Sequence, residues 1–178
     1  MRTLILLRHA KSSWNDDVLS DHDRPLAPRG RRDAPAVATR LRDLELLPDQ
    51  VISSTAARTR ETVALAAEAL GSPPIDFDAS LYLADPAEIL RAIRETPPEV
   101  ETLIVVGHNP GTHDIALALC DRGRSSDHLQ LESGFPTAAA AVITFDLDRW
   151  SDVRPGIGSL VHFIRPRDLS GPAGHTRS

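Results

Sequence analysis

Cysteine is almost absent. Cys120 is the only one in 178 residues, so no intramolecular disulfide can form and a cage of several thiolates around a metal is excluded. A reducing cytoplasm is the expected setting. Long apolar runs are missing as well. The N-terminal stretch Leu4–Leu7 meets Arg8 and His9 after four residues, too short for a signal peptide or a spanning helix. Neither export nor membrane anchoring is expected. There is also no basic excess: the net charge is -5, which argues against a bulk electrostatic grip on nucleic acid or anionic lipid. A local anion pocket is still compatible with that charge. Lys11 is the only lysine, every other fixed cation being arginine.

What is present is ordinary for a folded domain. Apolar and charged fractions of 41% and 25% lie near globular usage, and 178 residues suffice for one sizeable core. No repeat, low-complexity run or linker divides the chain. One domain over residues 1–167 is expected, followed by a flexible tail over 168–178 rich in Gly, Pro and Ser. Short β-branched runs recur at Thr3–Leu7, Gln50–Ser53, Thr102–Val106, Ala140–Phe145 and Ser159–Ile164, with helical patterns between most of them. The alternation predicts an α/β fold: a three-layer arrangement with a mostly parallel sheet flanked by helices.

The helices carry start and stop signals. The first is predicted from Pro28 to about Leu46, with Val37, Leu41 and Leu44 on one face and a bend or delayed start at Pro35. A second, from about Ala56 to Leu70, ends at "GSPP", and a short strand and turns follow before Leu103. The third opens at "DPAE", where Asp85, Pro86 and Glu88 form a capping box. The fourth opens at "NPG", with Asn109 as cap and Pro110 in the first turn. Residues 122–136 show no sustained period and are predicted as a loop.

In open α/β sheets, ligands bind beyond the carboxyl ends of the strands. Three strands here end in phosphate-seeking residues. The first delivers Arg8 and His9, the second "SSTAAR" with Arg58, and the fourth "GHNPG" with His108. Arginine presents a fork of donors that matches two phosphate oxygens, and a neutral imidazole is a phosphorus nucleophile. Such a set suits a phosphoryl group.

These residues sit in a longer pattern: "LRHAKSSW", "DRPLAPRGRRDA", "ISSTAARTRET", "VVGHNPG", "FPTAAAAVITFD" and "RPRDL", in this order over nearly the whole chain. The pattern resembles the histidine phosphatase superfamily, with its phosphoglycerate mutase-like fold, and within it the SixA-type phosphohistidine phosphatases. The resemblance implies that His9 is the transiently phosphorylated nucleophile. It also implies that Arg8, Arg58 and His108 hold the phosphoryl oxygens and that Arg24 helps at the rim. Ala10 stands where the family usually has glycine, as SixA-type members often do.

Plainer roles stand beside these. Arg24 is equally a surface partner for Asp21 or Asp23, and Asn109 is a helix cap as well as a candidate substrate-binding residue. His113 is five residues from His108, the wrong spacing for a metal pair on one helical face. No metal and no other cofactor are expected, because arginine supplies the positive charge. Substrates are expected to be a phosphorylated protein or a small phosphate ester, turned over through phosphohistidine at His9; a phosphomonoesterase for small molecules and a non-catalytic phosphate-binding module are the rival readings. Ester hydrolysis wants a general acid. Glu88 is the candidate, against its structural place in the cap, and Asp16, Asp17 and Asp21 lie on the loop after the first strand.

Overall fold

The computed structural model describes residues 1–14 and 19–169. Six strands, β1 (Arg2–Arg8), β2 (Gln50–Ser53), β3 (Ile75–Phe77), β4 (Thr102–Gly107), β5 (Ala140–Phe145) and β6 (Ser159–Ile164), form one sheet in the order β3-β2-β4-β1-β5-β6. Pairs β3–β2, β2–β4 and β4–β1 are parallel, whereas β5 runs antiparallel to both neighbours. Among the described residues five helices accompany them: α1 (Pro28–Asp43), α2 (Ala57–Ala66), α3 (Pro86–Arg94), α4 (Gly111–Leu119) and α5 (Ser126–Ser133).

The period of two along β1 assigns its side chains to two cores. Leu4 and Leu6 join Leu103 and Val105 of β4 against Ile89 and Ile93 of α3 and Ile115 and Leu119 of α4. Ile5 and Leu7 join Ile104 and Val106 against Val37 and Leu41 of α1 and Val63 of α2. The two central strands are therefore buried on both faces, which is why they read as continuous apolar runs. The result is three layers, helix, sheet and helix. No helix among the described residues is long and apolar enough to cross a membrane.

Several boundaries differ from the sequence expectation. Pro35 lies inside α1 without ending it, and Leu46 falls beyond the helix, which closes at Leu44 with its N–H on the Arg40 carbonyl. Helix α2 stops at Ala66, four residues before Leu70, and Gly71 takes a φ of 80° in the turns that follow. Asn109 does not cap α4. Pro110 holds the cap position, and the Asn109 amide donates instead to the Phe135 carbonyl at 2.8 Å. The 122–136 segment is not wholly loop, since α5 occupies its middle, with Ser125 accepting from the His128 N–H at 3.2 Å. Only His128 and Leu131 of that helix are buried. One apolar anchor in eight residues is too little to show a helical period. At the C-terminal end, Asp168 pairs with Arg165 at 2.9 Å and Leu169 packs on the α1-side core. The rest of the expected tail, 170–178, lies outside the described residues.

What positions the site is the order of the middle strands. β2, β4 and β1 are neighbours, with Ser53 opposite Val106 and Arg8 opposite Gly107. Their carboxyl ends therefore finish level, and the residues just beyond them meet.

Candidate active site

His9 follows β1 with its backbone held on every side. Its N–H donates to Gly107 O at 3.1 Å, its carbonyl accepts from Ala138 N at 3.0 Å, and the next N–H, of Ala10, donates to Thr62 Oγ1 at 3.0 Å. Arg8 N is tied to Ala139 O at 3.1 Å. Thr62 is on α2 and Ala138 precedes β5, so one helical layer and the sheet together fix the imidazole's root. The ring is fixed too. Nδ1 lies 2.8 Å from Ala10 O, and a carbonyl can only accept, so Nδ1 carries the hydrogen and Nε2 keeps its lone pair.

Electrostatics hold that tautomer neutral. His9 is 6% exposed, and burial pushes its pKa down to about 4; the Ala10 carbonyl opposes this, while Arg58, Arg8 and Arg24 add to it. His108, 3% exposed, has its ring centroid 5.3 Å from that of His9 and Nε2 2.8 Å from Ser54 Oγ. Burial, with Arg58 and His9 beside it, lowers its pKa to about 3. Both imidazoles are uncharged at neutral pH.

Three guanidinium groups close around them. Arg58, in the first turn of α2 and 2% exposed, donates through Nη1 to the Asp21 carbonyl at 2.7 Å and through Nη2 to Asp21 Oδ2 at 3.1 Å. Arg8 donates to Phe135 O at 3.0 Å, and burial next to Arg58 lowers its pKa. Arg24 is buried, bonds Ser12 Oγ at 3.2 Å and pairs with Asp21 Oδ1 at 3.2 Å. Asp21 thus bridges Arg24 and Arg58. It also accepts from the Tyr82 hydroxyl, and these partners, Tyr82 first, bring its carboxyl pKa down to about 2 against the cost of burial.

The groups line one cleft of about 260 Å³, which also includes Asn109, Trp14 and Leu83. Of the five buried side-chain polar atoms without a partner among the described residues, four belong to its walls: Arg8 Nε, Arg58 Nε, His108 Nδ1 and Asn109 Oδ1. The two arginine Nε atoms are unmet donors, costly in an empty protein and favourable once an anion arrives. The arrangement can hold a tetrahedral oxyanion among arginines and offer it an imidazole nitrogen. No group of three or more His, Cys, Asp or Glu among the described residues could hold a metal ion.

The structure brings Arg8, His9, Arg24, Arg58, His108 and Asn109 together and leaves Glu88 out. Glu88 takes part in the cap only through its N–H, which donates to Asp85 Oδ1 at 2.9 Å, while its carboxylate pairs with Arg91 at 3.1 Å. It does not line the cleft. Asp21 does, and Asp16 and Asp17 lie outside the described residues. His113 is bonded to Leu131 O and His128 sits 2.9 Å from Asp121 O, both away from the cleft lining. Sequence reasoning missed Ser54, Tyr82, Trp14 and the Phe135 carbonyl. The serine was visible inside "ISSTAAR", but its partner lies 54 residues away.

Comparison with known proteins agrees with this geometry. Residues 4–82 match the family model of the histidine phosphatase superfamily (branch 1). An uncharacterized protein of Mycobacterium tuberculosis is 37% identical over 163 residues, covering 90% of this chain and all of the relative. Among solved structures, a proposed phosphohistidine phosphatase SixA from Nakamurella multipartitia superposes with a TM-score of 0.80 at 32% identity, over 93% of this chain and 96% of its own. Another from Agrobacterium tumefaciens gives 0.77 at 31%, over 93% and 98%. With its strand order, its cleft and these likenesses, the chain belongs to the histidine phosphatase superfamily, among its SixA-type members.

Proposed function

We propose that this histidine-type phosphatase removes the phosphoryl group from phosphohistidine on a protein, through a phosphohistidine intermediate of its own at His9. The carrying observation is the neutral His9, whose Nδ1 is tied to Ala10 O and whose Nε2 is free to attack, set among Arg8, Arg58 and His108. Nε2 attacks phosphorus in line. The bond from phosphorus to the substrate nitrogen breaks, and that nitrogen keeps the electron pair and leaves in a neutral imidazole, the ring's other nitrogen already carrying a proton. Arg8, Arg58 and His108 carry the charge on the equatorial oxygens, where fixed donors contribute most. Water then attacks the phosphorus on His9, loses a proton to solvent, and inorganic phosphate leaves as Nε2 recovers its pair.

Leaving-group chemistry favours a nitrogen-bound phosphoryl. An alkoxide needs an acid, whereas an imidazole departs neutral. The carboxyl in the cleft, Asp21, is ionised well below neutrality, and Glu88 is engaged with Arg91 outside it. Between α2 and β4 the chain forms only β3, a 3-10 turn and α3. That leaves no inserted segment there to roof the cleft, which suits a side chain presented on a protein surface.

The experiment is to trap the phosphoenzyme with labelled phosphohistidine protein. The label is expected to be acid-labile, base-stable and absent from His9→Ala. Full turnover by His9→Ala sinks the mechanism. Fast hydrolysis of sugar phosphates with none of phosphohistidine sinks the substrate and leaves a small-molecule phosphomonoesterase.

A further inference from the structure

We propose that Trp14 and Leu83 form the leaving-group subsite of this cleft, a pair of apolar side chains that receives a flat aromatic or heteroaromatic ring bonded to the phosphoryl group. The inference rests on the reading of the cleft as a phosphoryl site, and it names what that site accepts beyond phosphorus.

Both side chains line the same cleft as His9 and are largely in solvent, Trp14 at 69% and Leu83 at 55% exposure. Among the described residues, the other walls are arginine, lysine, histidine, amide, hydroxyl and carboxylate groups, with nothing else large and apolar. A phosphoryl group uses the polar walls. The group one bond further out meets the indole and the leucine.

The indole is already in place. The Arg24 guanidinium carbon lies 3.5 Å from the Trp14 ring centroid, covering one face, and Arg24 is itself held by Asp21, Ser12 and the Ser13 carbonyl. An exposed tryptophan ordinarily loses rotamer freedom when it binds; the Arg24 contact restricts this one beforehand, and the exposed remainder of the indole is available. Leu83 shows a separate sign. Its φ is 50°, in the left-handed region that disfavours any side chain. Leu81, two residues earlier, is buried in the core, while Leu83 is left exposed at the cleft. Strain of this kind persists where the surroundings enforce it and concentrates at ligand sites. An indole and an aliphatic side chain lining one cleft suit a planar ring, by offset stacking on one and dispersion contact on the other. A polyhydroxylated alkyl group would instead lose hydration there.

The test compares phenylphosphonate with methylphosphonate, which carry the same phosphonate and are not hydrolysed. By calorimetry, the wild-type protein is expected to bind the phenyl compound about three- to tenfold more tightly, the range an aromatic pair contributes. Trp14→Ala is expected to erase that preference while keeping methylphosphonate affinity within about twofold, Trp14→Phe to restore it, and Leu83→Ala to reduce it. Trp14 emission should respond to phenylphosphonate, since the other tryptophan, Trp150, is buried and bonded to Val100 O. Equal affinity of the wild type for both compounds overturns the proposal. So does Trp14→Ala weakening both alike, which would mean that the indole only steadies Arg24. No binding of either overturns the phosphoryl reading together with this one. Turnover separates the sources of the ring: a selective kcat/KM loss in Trp14→Ala on a phosphohistidine peptide points to a protein-borne imidazole, on phenyl phosphate to a small aryl ester, and unchanged kcat/KM on both overturns the subsite.

Discussion

Lowering the pH from 7 to 5 should destabilise the fold through His9, and replacing His9 should remove that sensitivity. The folded ring has a pKa of about 4, against about 6.5 in an unfolded chain. Above 6.5 neither state binds the proton. Between 6.5 and 4 the unfolded chain takes it up and the folded protein does not, so stability falls as the pH falls; below 4 both are protonated and the loss stops growing. Integrated from pH 7 to pH 5, the difference is about 2 kcal/mol, a large share of a typical domain's stability. His108 acts in the same direction, down to a pKa of about 3, and is common to wild type and variant. Urea unfolding of wild type and His9→Asn, followed by far-UV circular dichroism at pH 7, 6 and 5, isolates the contribution as the gap between two slopes. The variant is expected to lose about 2 kcal/mol less over that interval. Parallel loss in the two proteins, or an NMR titration of His9 near pH 6.5, would refute the claim that burial holds the nucleophile neutral.

The charged cradle should be separable from folding: Arg58→Ala, Arg8→Ala and His108→Ala are each expected to lower kcat at least about a hundredfold in steady-state assays. Glu88→Gln should cost less than about tenfold on phosphohistidine or aryl phosphates, because its carboxylate serves Arg91 rather than the cleft; a larger loss would make Glu88 a proton donor. Gly30→Ala would put a methyl group against the Lys11 carbonyl, two residues from His9. It should lower stability by about 1–3 kcal/mol in urea and reduce activity with it. Asp85→Ala should cost about 1 kcal/mol, since the Asp85 carboxylate caps α3 at the Glu88 N–H.

The sequence by itself determined the strand-and-helix alternation and the candidates at the strand ends, because both are local patterns. Leu4–Leu7 of β1 and Leu103–Val106 of β4 are unbroken apolar runs, Arg8 ends β1, and His9, Arg58 and His108 follow strands at short, readable distances. It also resolved the opening of α3, where Asp85 and Pro86 act within one turn. What only the tertiary structure decided depends on contacts between distant residues. The insertion of β4 between β1 and β2 is what sets His9 beside His108, and no local pattern specifies strand order. α5 shows too few apolar positions to be seen until Leu131 is packed in the core. Asn109 reads as a cap because its sequence neighbours are a helix start, yet its amide is drawn to Phe135, 26 residues on. The same holds for the chemistry. A histidine in a sequence has its ordinary pKa; the lone pair on His9 Nε2 and its persistence at neutral pH come from burial beside α2 and the segment before β5 and from three arginines converging out of separate segments.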